Sequence, residues 1–255
     1  MAAETTLDFP PRANGFAPSH AWDRNFFLAL LLLIWLPLLS GFGLDMANHI
    51  QTNEAAYPLI IHIHAAVFVG WLLLLTTQIA LIRVRKPALH RRLGIAGVAF
   101  IPLMTVVGLA ATWIMHIRQY TPEAPHTAFF AVQITNMMAF VPLAVAALLW
   151  RQESSAHKRL ILLATLSLTV AGFARLWDYT IGDALGTAEW AFAVQLYLGT
   201  DLLILALGGY DLVTRRRLHP VYLSGAGWIL VTQIASVVLY FSPAWRAFAP
   251  HLIGH

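Results

Sequence analysis

Seven stretches of the chain, 26–43, 58–82, 93–116, 126–150, 159–179, 189–210 and 221–241, are almost continuously apolar. The hydrocarbon core of a bilayer is about 30 Å thick and takes about 20 apolar residues in helical form. Each stretch meets that length or comes close to it. Strands of a membrane barrel would instead alternate over about 10 residues. Only 11% of the chain is charged, where a soluble domain carries about 25%. The sequence therefore predicts an all-α, polytopic integral membrane protein with seven transmembrane helices. Pro37, Pro102 and Pro142 fall inside spans, where neighbouring helices can satisfy the carbonyls that proline frees.

Residues 1–24 are polar and proline-bearing, without the early apolar run of a secretory signal. They read as a flexible cytoplasmic tail, leaving 25–255 as a single seven-helix domain. Orientation follows lysine and arginine. Arg12, Arg24, Arg83, Arg85, Lys86, Arg91, Arg92, Arg151, Lys158, Arg159, Arg215, Arg216 and Arg217 all fall on one side. Arg118 and Arg246 fall on the other, and Arg175 lies inside a span. This asymmetry places the N-terminus in the cytoplasm and the C-terminus outside, as for a multi-pass protein of a bacterial inner membrane. Short loops make consecutive spans antiparallel neighbours: one first helix, then three hairpins.

The second span reads LIIHIHAAVFVGWLLLLTTQ from Leu59. His64, Trp71 and Gln78 recur every seven residues and so share one helical face. His62 points about 200° away from His64, so the pair in HIH is not expected to share a ligand. Span four adds Gln133 and Asn136, and span five adds Arg175, Asp178 and Tyr179 on a common face. Span six carries Gln195, Tyr197 and Asp201. A charge at the centre of a span costs about 2.5–3.5 kcal/mol on insertion scales. Asp201 should therefore face protein, and Arg175 is the expected partner.

Histidine is abundant, with 11 residues, and seven of them lie toward the outer side: His49, His62, His64, His116, His126, His251 and His255. His64, His116 and His126, with Asp178, form a candidate metal set, because neutral imidazole suits zinc, copper and iron. The same imidazoles offer a second chemistry. One b-type haem could sit between His62 or His64 and His116 or His126, with a quinone as a redox partner. Fourteen residues after His64 stands Gln78 rather than a second histidine, which argues against two haems stacked across the membrane. Cysteine is absent, removing disulfides, thiolate ligands and cysteine nucleophiles.

Spans three, five and seven open with related segments: HRRLGIAGVAF from His90, HKRLILLATLSL from His157 and HPVYLSGAGWIL from His219. Basic residues at helix starts suit lipid phosphates or a small anion, which makes His90, Arg91, His157, Arg159 and His219 a candidate anion or lipid set. The segments HIHAAVFVGWLLLLTTQ, LHRRLG, AHKRLILLAT with Arg175, YDLVTRRRLHP and SPAWRAFA together resemble a group of bacterial multi-pass membrane proteins of unassigned function. The resemblance covers the chain from His62 to Ala249. It implies a shared membrane fold and draws attention to His62, His64, His90, His157, Arg175 and His219.

Three functions fit these residues. The first is a haem- or metal-binding redox protein with its site in the outer half. The second is a transporter or binding protein for a small molecule, using Arg175 and Asp201. The third is a scaffold subunit whose polar interior residues (the His64, Trp71 and Gln78 stripe, with Asn136, Tyr197 and Asp201) only lock helices together. Lysine is missing from 221–241, so no retinal Schiff base can form there. No phosphate loop, nucleophile elbow or nucleic-acid motif occurs, and the surrounding partner is the lipid bilayer.

Overall fold

The computed structural model describes residues 16–17, 19–52, 55–121, 126–186 and 188–255. They form α1 (Asp23–Gln51), α2 (Leu59–Arg83), α3 (Pro87–Gln119), α4 (Phe130–Leu149), α5 (Ser154–Ser167), α6 (Val170–Leu185), α7 (Glu189–Arg215), α8 (Pro220–Phe241) and the short α9 (Pro243–Phe248). Among these residues there are helices and no strands, so the fold is all-α and polytopic. Six helices are long and apolar enough to cross a membrane, and the bent pair α5–α6, which is long and apolar enough only when its halves are taken together, brings the number to seven if it crosses as one span. Pro37, Pro102 and Pro142 lie within α1, α3 and α4 without ending them.

The fifth span is broken. Its two halves meet at 43° across Leu168 and Thr169. No glycine or proline stands at the break. The local cause is a run of hydroxyls in TLSLT. Ser167 Oγ donates to the Ala164 carbonyl at 2.8 Å and Thr169 Oγ1 to the Leu166 carbonyl at 2.7 Å. Such bonds compete with the regular ladder. The backbone tightens accordingly, with Leu168 N–H on Thr165 and Thr169 N–H on Leu166.

The broken span also organises the packing. α5 is buried along most of its length, from Ser155 to Ser167, and packs chiefly against α4. α6 leaves that centre and lies along α1. There the backbones touch: a Cβ on Gly41 would fall 2.2 Å from the Gly172 carbonyl, and one on Gly172 would fall 2.8 Å from Pro37. Small residues permit this approach where lipid provides little drive for helices to associate. α2 packs on α3, and α8 packs more extensively on α4 than on its hairpin partner α7. The expected tail over 1–24 is only partly described, since 1–15 and 18 lie outside the described residues. Phe16, Ala17 and residues 19–22 sit on the basic end of the bundle rather than free of it. Phe16 rests edge-on against His219 at 4.6 Å, and the Ala17 carbonyl accepts a bond from Arg215.

Candidate functional site

Polar side chains inside the bundle gather in three places. The first is a small hollow at the break of the fifth span. Thr135 and Asn136 from α4, Ser167 from α5, Tyr197 from α7, and Thr232 and Gln233 from α8 line it. Its volume of about 10 Å³ gives room for roughly one water. Gln233 Nε2 donates to Asp201 Oδ1 at 2.8 Å, which puts a carboxyl one hydrogen bond behind the lining of the hollow. Ser236 lies beside the Tyr197 hydroxyl. The hydroxyls of Thr169 and Thr200, 2.9 Å apart, tie the break to α7. Asn136, Tyr197 and Asp201, taken from two different spans in the sequence, thus do converge.

Arg175 does not join them. Its Nε donates to Asp45 Oδ2 on α1 at 3.2 Å, and its guanidinium lies 4.4 Å from the centre of the Phe42 ring. The expected Arg175–Asp201 pair is therefore corrected to Arg175–Asp45 and Asp201–Gln233. The reason is the packing of α6 against α1, which turns Arg175 away from α7.

The second gathering is at the basic end, where Arg159 and Asp211 are fully buried and bonded to each other through two guanidinium nitrogens. Arg159 Nη1 also donates to Ser155, at 2.7 Å to its carbonyl and 2.9 Å to its hydroxyl. Next to this pair, Asp23 accepts from Lys158 at 2.7 Å, Tyr210 at 2.6 Å and Arg215 at 2.8 Å. Phe16 covers the cations, 4.6 Å from Arg159 and 5.3 Å from Arg215. Four helices, α1, α5, α7 and α8, meet here, because His219 caps α8 by accepting from Val221 N–H at 3.2 Å. Burial, and then the Arg159 charge, hold His219 down at about 4.

This arrangement divides the anion or lipid set expected from the helix starts. Arg159, placed by sequence at the headgroup layer, is instead sealed inside by Asp211. His219 stands with it. His157 points elsewhere: its Nδ1 donates to the Ala147 carbonyl at 2.7 Å, and its ring lies 6.5 Å from that of His90. His90 lies beside the backbone of Gln78, and both His90 Nδ1 and Gln78 Oε1 are buried without a protein partner. Arg91 is exposed. Asp211 went unnoticed in the sequence, although it stands four residues before Arg215, a spacing that brings the two within reach on a helix.

The third gathering is in the half of the bundle away from the basic end. His64 stacks on Phe68 at 4.1 Å, with its Nδ1 buried and unpartnered. His116 is buried, shares a 2.7 Å hydrogen bond with Gln133 through Nε2, and stacks on Phe130. His62 and His126 are exposed. Asp178 is exposed too, accepting from Gln195 at 2.9 Å. Among the described residues no three histidine or acidic side chains come together as a metal group. The candidate metal set of His64, His116, His126 and Asp178 is thus not assembled in this structure. Trp71 does face the interior, and its indole donates to Thr165 at 3.2 Å.

No family model, no curated protein and no solved structure matches the chain. The functional reading therefore rests on the geometry above.

Proposed function

We propose that this is a membrane transport or binding protein for a small polar solute, working in a bacterial inner membrane with its basic end toward the cytoplasm. One observation carries the reading. The break between α5 and α6 lies at a polar hollow lined by the amide Gln233, whose hydrogen-bond partner behind the lining is the carboxyl of Asp201. Broken helices at such depth are tolerated where they line a cavity, and intramembrane carboxyls mark ion and substrate paths. The hollow holds one water's volume, so a solute would enter by widening it at the break.

The test uses protein reconstituted in liposomes. Sugars, amino acids and organic acids are first screened by thermal shift, and each solute that shifts the unfolding temperature is then followed by radiolabelled counterflow. Counterflow by the natural chain that collapses in Asp201→Asn supports the reading. Equal counterflow in the two proteins, or no solute that shifts either, overturns it.

A second reading has its own support. The unpartnered Nδ1 atoms of His64 and His116 suit a ligand in the outer half, and a single haem b or a transition metal would use such atoms. An optical spectrum and metal analysis of the purified protein decide it. A Soret band lost in His64→Ala favours haem, and a featureless spectrum without stoichiometric metal rejects both cofactors.

A further inference from the structure

α1 and α2 follow each other in sequence yet touch sparingly. Near the basic end an apolar crevice of about 190 Å³ remains between them. Leu28 and Leu31 from α1 form one wall, and Ile79, Ala80 and Val84 from α2 form the other. On the same two helices Trp35 Nε1 donates to Thr76 Oγ1 at 3.0 Å, and Thr76 itself lines the crevice. Leu28 to Leu31 and Thr76 to Val84 span about 12 Å of helix on the longer side. That is the length of a good part of an acyl chain.

Arg83 also lines the crevice, and its neighbours are cationic. Its guanidinium donates to the Arg24 carbonyl and reaches Asn25 Oδ1 at 3.4 Å, both neutral acceptors. Arg85 follows in the left-handed conformation (φ 60°), and Lys86 N–H closes the turn on the Leu81 carbonyl at 2.8 Å. Arg24, Arg85 and Lys86 are all exposed. No carboxylate among the described residues is paired with Arg24, Arg83, Arg85 or Lys86. This contrasts with Lys158, Arg159 and Arg215 a few helices away, each of which meets an aspartate. An apolar slot at membrane depth with uncompensated cations at its mouth matches one chemistry: a phosphodiester head above a hydrocarbon tail.

We propose that one anionic phospholipid occupies this crevice and completes the α1–α2 interface, its acyl chain between Leu31 and Ala80 and its phosphate at Arg83. The lipid supplies contacts that protein side chains leave unmade, so it should fasten α1 to the bundle. Arg83→Gln removes one cation from the mouth, and a juxtamembrane cation near an anionic surface accounts for about a fivefold change in affinity. Ala80→Trp fills the slot with an indole in place of the chain.

The experiment uses the full chain in dodecylmaltoside with phosphatidylglycerol, phosphatidylcholine or inorganic phosphate added, read by native mass spectrometry and by thermal unfolding. The expected result is one retained phosphatidylglycerol and a raised unfolding temperature, with phosphatidylcholine and phosphate producing neither. Arg83→Gln should weaken phosphatidylglycerol binding about fivefold. Ala80→Trp should abolish it while unfolding no lower than the natural chain does without lipid. Equal retention of the two lipids overturns the proposal, as does equal protection by phosphate. So does phosphatidylglycerol held as tightly by Ala80→Trp.

Discussion

Two aspartates on one helix have opposite surroundings. Asp211 and Asp201 both lie on α7, ten residues or about 15 Å apart. Asp211 is fully buried, yet it has the Arg159 guanidinium in a two-point bond and Arg215 Nη1 at 3.8 Å. Asp201 is partly buried and has a single neutral amide. A buried charge that is matched and fully hydrogen-bonded holds helices in register. A carboxyl at depth with a neutral partner and a water-sized hollow beside it is free to exchange that partner. The first arrangement explains how four helix ends stay together, and the second is where chemistry can enter. Composition alone would not separate them, since each is one aspartate in an apolar helix.

The comparison breaks most visibly at Arg159. Arg159→Ala leaves Asp211 buried without its counterion, and removal of one partner of such a pair costs about 3–5 kcal/mol. Thermal unfolding in detergent should show that loss. The double variant Arg159→Met, Asp211→Leu should recover most of it, because apolar residues of similar volume often replace a buried pair at little cost. A double variant as unstable as the single one would mean that the network is needed as charge.

The next effect concerns the scaffold that holds the hollow. Gly172→Ala places a methyl 2.8 Å from the Pro37 backbone, where nothing flexible can yield. Overpacking of this kind costs about 1–3 kcal/mol. It should separate α6 from α1, a change visible as faster hydrogen exchange in α6, while the Arg159–Asp211 pair on α5 and α7 keeps its protection. Equal loss of protection at both places would show that the two regions unfold as one.

A smaller effect is set by pH. Burial and the Arg159 charge hold His219 near 4 in the folded protein, whereas an exposed imidazole has a value near 6.5. The folded state thus binds its proton later than the unfolded state does. Stability contributed by the neutral ring is complete above about pH 6.5 and is lost as pH falls toward 4. After discounting for screening, the loss is on the order of 1 kcal/mol. Unfolding temperatures measured across that window should fall less in His219→Gln, which keeps a polar cap without the titration.

Much of this architecture was legible in the chain because membrane helices are written in long apolar runs. The interior positions of Trp71, Asn136, Tyr197 and Asp201 followed from helical spacing and from the cost of charge in lipid. What escaped was pairing across elements. Arg159 read as an interfacial cation because three basic residues surround that helix start, and only the packing of α5 against α7 reveals Asp211. Arg175 and Asp201 are the two clearest intramembrane charges in the sequence and so read as a pair, whereas the Gly41–Gly172 contact brings Arg175 to Asp45 on α1. The break at Leu168 and Thr169 carries no glycine or proline, and its hydroxyl cause is visible only once the carbonyls they bond are known. His64 reads as an interior histidine from its stripe, whereas His116, at the end of its span, reads as interfacial; its burial against Phe130 and Gln133 depends on how α3 and α4 lean together.

The smallest expected change in stability is also the one that bears most on function. Gln233→Leu removes the amide that bonds Asp201, and an interhelical hydrogen bond within a membrane contributes about 0.6 kcal/mol on average. Asp201→Asn keeps a hydrogen-bonding group at the same place and should cost no more than that. If Asp201 were a register lock like Asp211, these modest changes would be the whole effect. If it is the exchangeable group of a solute site, both variants should unfold near the natural temperature yet lose solute-dependent thermal shift and counterflow. Stability and transport measured on the same preparations separate the two cases. A loss of stability, modest or larger, with transport intact would place Asp201 beside Asp211 as a structural carboxylate and remove the contrast on α7.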